Sequence, residues 1–189
     1  MDETGFESWS PVSYSWANMG EQKRQEQTHC RRRVSLLGLW EPGQRMTYGL
    51  SFGGVDSKTY IQLMRWQAQQ AQTLFRRNGV ITVVVQDNAS IHTSWAVRAE
   101  VPQWQKQGLC LCQLPKYCSE MNLIEGEWHQ VKAHHIRGQM FDDHYELAVG
   151  VIAAIRERAD AADYKVARFN FNTGRVIRSP LLTTRHRGD

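Results

Sequence analysis

Cysteine is scarce in this sequence, and long apolar runs are missing from it. Four cysteines (Cys30, Cys110, Cys112, Cys118) in 189 residues are too few for a disulfide scaffold. None has the Cys-x-x-Cys spacing of a zinc site, so reduced thiols are expected. No apolar stretch approaches the roughly 18 residues of a membrane span, and the start Met1-Asp2-Glu3-Thr4 has no signal-peptide core. These absences predict a cytoplasmic protein with no membrane partner. Internal repeats and low-complexity linkers are also lacking. With 41% hydrophobic and 22% charged residues, the composition excludes a disordered or fibrous chain, and the length suits one domain with its own core.

The net charge of +4 is unevenly placed. Residues 1–164 hold 17 Lys/Arg against 18 Asp/Glu, whereas residues 165–189 hold six basic residues against Asp189 alone. This asymmetry predicts a folded domain over 1–164 and a basic tail over 165–189. The tail residues Lys165, Arg168, Arg175, Arg178, Arg185 and Arg187 either neutralise phosphate or are merely solvated. A second basic run, Arg31-Arg32-Arg33, is a further candidate for gripping phosphate.

Residues 7–30 read as a short hairpin or loop. Arg33 to Trp40 and Met46 to Phe52 alternate as strands around the turn Glu41-Pro42-Gly43-Gln44. Asp56 or Ser57 can cap a helix to about Arg77, ended by Asn78-Gly79, with Tyr60, Leu63, Met64, Ala71, Leu74 and Phe75 on its apolar stripe. Val80 to Val85 is a continuous apolar run, which predicts a strand buried on both faces. A helix follows from Thr93 or Ser94 to Gln107, then a short strand over Leu109 to Leu114 and a loop over Lys116 to Met121. From about Asn122 a helix carries Ile124, Trp128, Val131 and His135 on one side and Glu125, His129 and Lys132 on another. A last helix spans about Asp143 to Arg158. The order predicts an α/β layer architecture with an antiparallel start and parallel additions.

Three carboxylates are candidates for chemistry. Asp87 ends the most buried strand, where open α/β sheets place ligands, although Asp-Asn-Ala-Ser also suits a turn or cap. Glu125 completes an Asn122-x-x-Glu125 capping-box pattern and could do no more than that. Asp2, beside a chain terminus, could simply be exposed.

Their joint context resembles a known family. Asp2-Glu3-Thr4-Gly5-Phe6, Tyr14-Ser15-Trp16-Ala17, Val85-Gln86-Asp87-Asn88-Ala89-Ser90-Ile91-His92 and the run from Leu114 to Trp128 look like the successive blocks of DDE transposases. The nearest kinds are bacterial insertion-sequence transposases allied to mariner. The resemblance implies an RNase H-like fold: a mixed five-stranded sheet flanked by helices, its first strand truncated and bearing Asp2. Asp87 would then end the fourth strand, and Glu125 would sit on a late helix.

It implies Asp2, Asp87 and Glu125 as catalytic residues and ligands of two Mg2+ or Mn2+ ions. Such a pair of ions serves in-line phosphodiester chemistry, and hard cations take oxygen ligands. Asn88, His92, His129, Lys132, Arg31, Arg32 and Arg33 are the candidate DNA contacts, with turn bonding and structural burial the plainer readings of Asn88 and His92. Trp128 is expected to pack in the core. The implied function is cleavage and strand transfer in DNA transposition, acting on double-stranded DNA at element ends and target. Homodimers or a synaptic complex are implied as the active form. The family's N-terminal helix-turn-helix region is missing, so the chain is expected to be a fragment or the second frame of a split gene, with a separately encoded part supplying that region.

The chain departs from the family pattern with Cys118 and Ser119 for Ser-Pro, Met121 for Leu and Leu123 for a proline. These changes loosen the loop before Glu125 without removing a ligand. The alternatives are a catalytically inactive remnant that only binds DNA, and an RNase H-like nuclease or junction resolvase.

Overall fold

The computed structural model describes residues 1–8, 32–115 and 118–177. The hairpin or loop expected over 7–30, apart from residues 7 and 8, lies outside these residues, as do Arg31, Arg178, Arg185 and Arg187. Strands β1 (Asp2–Glu7), β2 (Arg33–Glu41) and β3 (Arg45–Phe52) form an antiparallel meander. The β2–β3 turn closes with Gln44 N–H on the Glu41 carbonyl at 3.0 Å and Gly43 at φ 68°.

Helix α1 (Ser57–Asn78) starts as the sequence predicts. Asp56 accepts from Thr59 N–H while the Thr59 hydroxyl accepts from Asp56 N–H, and left-handed Gly79 ends the helix with its N–H on Phe75 O. Then come β4 (Thr82–Gln86), the single turn α2 (Ser90–Thr93), α3 (Trp95–Lys106) and β5 (Leu109–Gln113). A 3-10 turn over Ser119–Met121 leads into α4 (Leu123–Gln130), which continues as a π-helical segment, Val131–Ile136. Helix α5 (His144–Ala161), β6 (Lys165–Asn170) and β7 (Arg175–Ile177) complete the order.

The main sheet runs β1-β2-β3-β6-β7, with β6 parallel to β3, so it is mixed and five-stranded. Its membership differs from expectation: β4 and β5 pair parallel as a separate ladder, and β6 and β7 supply the last two places. The described part of the basic segment is therefore not a tail. Lys165 N–H bonds Gln44 O at 2.9 Å, and Phe169 is 2% exposed, so a boundary at 164/165 would cut through the sheet.

One face of the sheet packs on α1 and α3 through Leu37, Tyr60, Leu63, Met64, Trp104 and Phe169. The other packs on α4 and α5 through Phe6, Leu36, Ile124, Trp128, Leu147 and Ile155. Strand β4 joins the first layer only, through Val84. Contrary to the expectation of two buried faces, Val83 and Val85 are 57% and 38% exposed. On α1, Leu74 and Phe75 are likewise partly exposed, and Gln67 and Ala68 take the buried positions.

Candidate active site

Asp2 opens β1 opposite Gly38 of β2. By strand alternation it shares a face with Phe6, which belongs to the core layer of α4. The close approach of α4 depends on Gly38, because a Cβ there would collide with the Trp128 ring. Asn122, just before α4, is 3% exposed and its side chain makes no cap bond. Its Nδ2 instead donates to the Met1 carbonyl at 3.2 Å. The pattern read as a capping box is thus a tie between the start of β1 and the start of α4, the two elements carrying Asp2 and Glu125. On the other side, Met1 N donates to Val85 O at 2.7 Å, which brings the end of β4 beside Asp2.

Asp87 directly follows β4. Its Oδ1 accepts from Ala89 N–H at 3.0 Å and lies 2.7 Å from His92 Nδ1. Glu125 is half-buried in the first turn of α4, with its N–H on Asn122 O at 2.9 Å. The three carboxylates sit in one electrostatic neighbourhood. Burial pushes the Asp2 carboxyl up to about 7; a bond from the Glu3 backbone opposes this, and the charges of Glu125 and Asp87 add to it.

Lys132, on the π-helical segment, lies 5.5 Å above the Phe6 ring centroid. Loss of water around its ammonium lowers its pKa, Asp2 raises it and Arg33 lowers it again. Lys132 thus lies on the Asp2 and Phe6 face of β1, whereas the Arg33 guanidinium lies over Gly5 on the other face. His129 is exposed one turn beyond Glu125, and Arg32 is half-buried just before β2.

Two expected DNA contacts are placed otherwise. His92 is 1% exposed and cannot reach a duplex as it stands. Asn88 is exposed, but its Nδ2 donates to Leu114 O, tying the ends of β4 and β5. Turn bonding and burial, the plainer readings, describe both. The sequence reading missed Gln86 and Tyr60, buried beside Asp87, and the structural role of Glu127. Gln86 was legible only as a polar residue closing an apolar run.

The donor chemistry suits a hard divalent cation, since Asp2, Asp87 and Glu125 offer oxygen alone and their charges act on one another. Among the described residues, no three Asp, Glu, His or Cys side chains lie close enough together to hold an ion as they stand.

A mixed sheet is thus flanked by helices, with Asp2 at the start of β1, Asp87 just after β4 and Glu125 in the first turn of α4. A family model described as "DDE superfamily endonuclease" matches residues 1–148, and the chain belongs to that family. Among solved structures, the Mos1 mariner paired-end complex with Mn is similar at 15% identity with a TM-score of 0.54, over 86% of this chain and 52% of that one. A pre-cleavage Mos1 transpososome gives 15% identity and 0.54, over 85% and 53%. The Mos1 paired-end complex with the left transposon end gives 16% and 0.51, over 86% and 52%. The shared fold is RNase H-like. The chain spans about half the length of these transposase chains. No curated protein matches it. Among the described residues, no helix is long and apolar enough to cross a membrane.

Proposed function

We propose that this chain is the catalytic domain of a DNA transposase, cleaving and joining strands at element ends with two Mg2+ or Mn2+ ions held by Asp2, Asp87 and Glu125. The observation that carries this reading is the tie of β1 to α4 and β4 through Met1, which gathers the three elements bearing these carboxylates. When bound, the ions supply charge stabilisation to the attacking and leaving oxygens of an in-line displacement. The chain's own contribution is positioning. Gly38 and Trp128 set the distance of α4 from the sheet, Asn122 locks its start, and the bonds to Asp87 Oδ1 fix that carboxylate.

Lys132, Arg33, Arg32 and His129 are the basic side chains that meet phosphate in this reading, Lys132 from the Asp2 face of β1 and Arg33 from the other. Arg31 belongs to the same basic run. The partners in this reading are duplex DNA at element ends and target, further copies of the chain in a synaptic complex, and a helix-turn-helix part outside residues 1–189. The relatives with Mos1 transposon-end DNA and with Mn support DNA and a divalent ion as ligands.

The test is nicking of element-end duplex with Mn2+, comparing the chain with Asp87→Asn and Glu125→Gln. Each variant keeps its shape and loses the charge a cation needs, so nicking falls to background while circular dichroism is unchanged. Glutamine keeps the length and the accepting oxygen of the side chain, so retained nicking in Glu125→Gln would reduce Glu125 to a structural residue. Metal-independent DNA binding without nicking is the outcome for an inactive remnant.

A further inference from the structure

We infer that His92 is a positioning residue for Asp87: its Nδ1–H holds Oδ1 of that carboxylate so that the other oxygen is presented to a divalent cation. The inference rests on the two-ion reading above. Its basis is a buried arrangement beneath the end of β4. The His92 side chain is fully enclosed, while that of Asp87 is 42% exposed, so one member of the pair faces the protein and the other faces solvent.

Nδ1 lies 2.7 Å from Asp87 Oδ1 and 3.3 Å from the Asp87 carbonyl. With Ala89 N–H at 3.0 Å, Oδ1 has two donors, which leaves Oδ2 as the outward oxygen. The ring is held by Tyr60, whose centroid is 4.9 Å away, and the Tyr60 hydroxyl donates to Gln86 Oε1 at 2.7 Å. Tyr60 and Gln86 are both fully buried. Thus α1, β4 and α2 each contribute one side chain to the platform on which Asp87 rests.

The tautomer follows from the surroundings. Among the described residues, His92 Nε2 is buried without a partner. An N–H there would be an unsatisfied buried donor and a protonated ring a buried charge, whereas a bare nitrogen is the cheaper orphan. The proton therefore belongs on Nδ1, where Asp87 accepts it. Ligands oriented by such a second partner typically lose about 10- to 100-fold in metal affinity when the partner is removed.

The experiment measures Mn2+ binding to the 189-residue chain by electron paramagnetic resonance, alongside thermal unfolding. Asparagine places an amide N–H near the Nδ1 position, whereas glutamine places it near Nε2. His92→Asn should keep Mn2+ affinity within about threefold, while His92→Gln and His92→Phe should lower it about 10-fold or more. Equal affinity in His92→Asn and His92→Gln would overturn the inference even if His92→Phe failed to fold. A uniform loss of affinity tracking a lowered melting temperature in all three would also overturn it, because a merely structural histidine behaves that way. Asp87→Asn separates the two levels. If the unaltered chain binds no Mn2+, or Asp87→Asn binds it as well, the two-ion reading fails. If binding needs Asp87 but ignores residue 92, only the present inference fails.

Discussion

Gly38 and Trp128 meet where β2 passes beneath α4, and the indole occupies the space that a side chain on residue 38 would need. Gly38 pairs with Asp2 on one side and Tyr48 on the other, so this contact sets the height of α4 above the sheet at the first carboxylate.

Gly38→Ala is therefore expected to destabilise the fold by about 1–3 kcal/mol, the usual range for overpacking. Mn2+ affinity should fall with it, as α4 and Glu125 are pushed outward. Trp128→Phe shortens the ring that the new methyl strikes, so the double variant should unfold in urea at a concentration above that expected from adding the two single effects. Full additivity would show that the contact does not govern the spacing.

A second expectation concerns the link between α4 and α5. Glu127 accepts from Arg158 Nη2 at 2.7 Å and Nε at 2.8 Å, and from the Tyr164 hydroxyl at 3.0 Å. Burial pushes the Glu127 carboxyl up, yet the bonds from Arg158 and Tyr164 outweigh this and hold it below its usual range. Arg158→Leu leaves a carboxylate whose side chain is 8% exposed without its cation, which costs about 3–5 kcal/mol. Glu127→Gln should cost less, because the Arg158 side chain is 25% exposed and can turn to water. Denaturant midpoints in the reverse order would contradict the assignment.

The cap of α1 gives a pH dependence with a definite sign. Asp56 is held below its ordinary carboxylate range, first by the Thr59 backbone N–H. A depressed folded-state pKa adds stability above the unfolded value and loses it as pH falls through the folded one. Asp56→Ala should cost about 1 kcal/mol at neutral pH and progressively less in acid. Asp56→Asn keeps a capping oxygen that does not titrate, so its deficit relative to the unaltered chain should vanish in acid. A parallel pair of melting curves from about pH 3 to 7 checks this.

How much of this was legible depends on the element. The β2–β3 hairpin and α1 were readable because turn and cap residues act locally: Pro42-Gly43, Asp56 and Asn78-Gly79 need no distant partner. Strand β4 misled because an apolar run reports affinity for a core and not how many faces are covered; among the described residues Val83 and Val85 have no helix over them. Strand β6 was hidden behind its charges, since Lys165 and Arg168 read as a tail although Phe169 is buried in the core of α1. The carboxylates were found through their family blocks. Asn122 and His92 could not be assigned from sequence, because their partners, Met1 O and Asp87 Oδ1, become visible only once the chain is folded.

The remaining prediction concerns Lys132. It lies on a π-helical segment, where Arg137 N–H bonds Lys132 O in the wider five-residue step. This register places its ammonium over Phe6, where it feels the charges of both Asp2 and Arg33. A partly desolvated cation in the field of an acidic residue and of another cation gains from a further anion, and a DNA phosphate next to the carboxylates would be such an anion. Lys132→Gln should weaken binding of unrelated duplexes to a similar degree and reduce the slope of log affinity against log salt by about one. Lys132→Arg keeps the charge and should keep the slope. Mn2+ affinity should be unchanged or rise in Lys132→Gln, because the residue repels the ion that the neighbouring carboxylates attract. If the salt slope is unaltered and Mn2+ affinity falls instead, Lys132 supports the carboxylates and does not meet the phosphate.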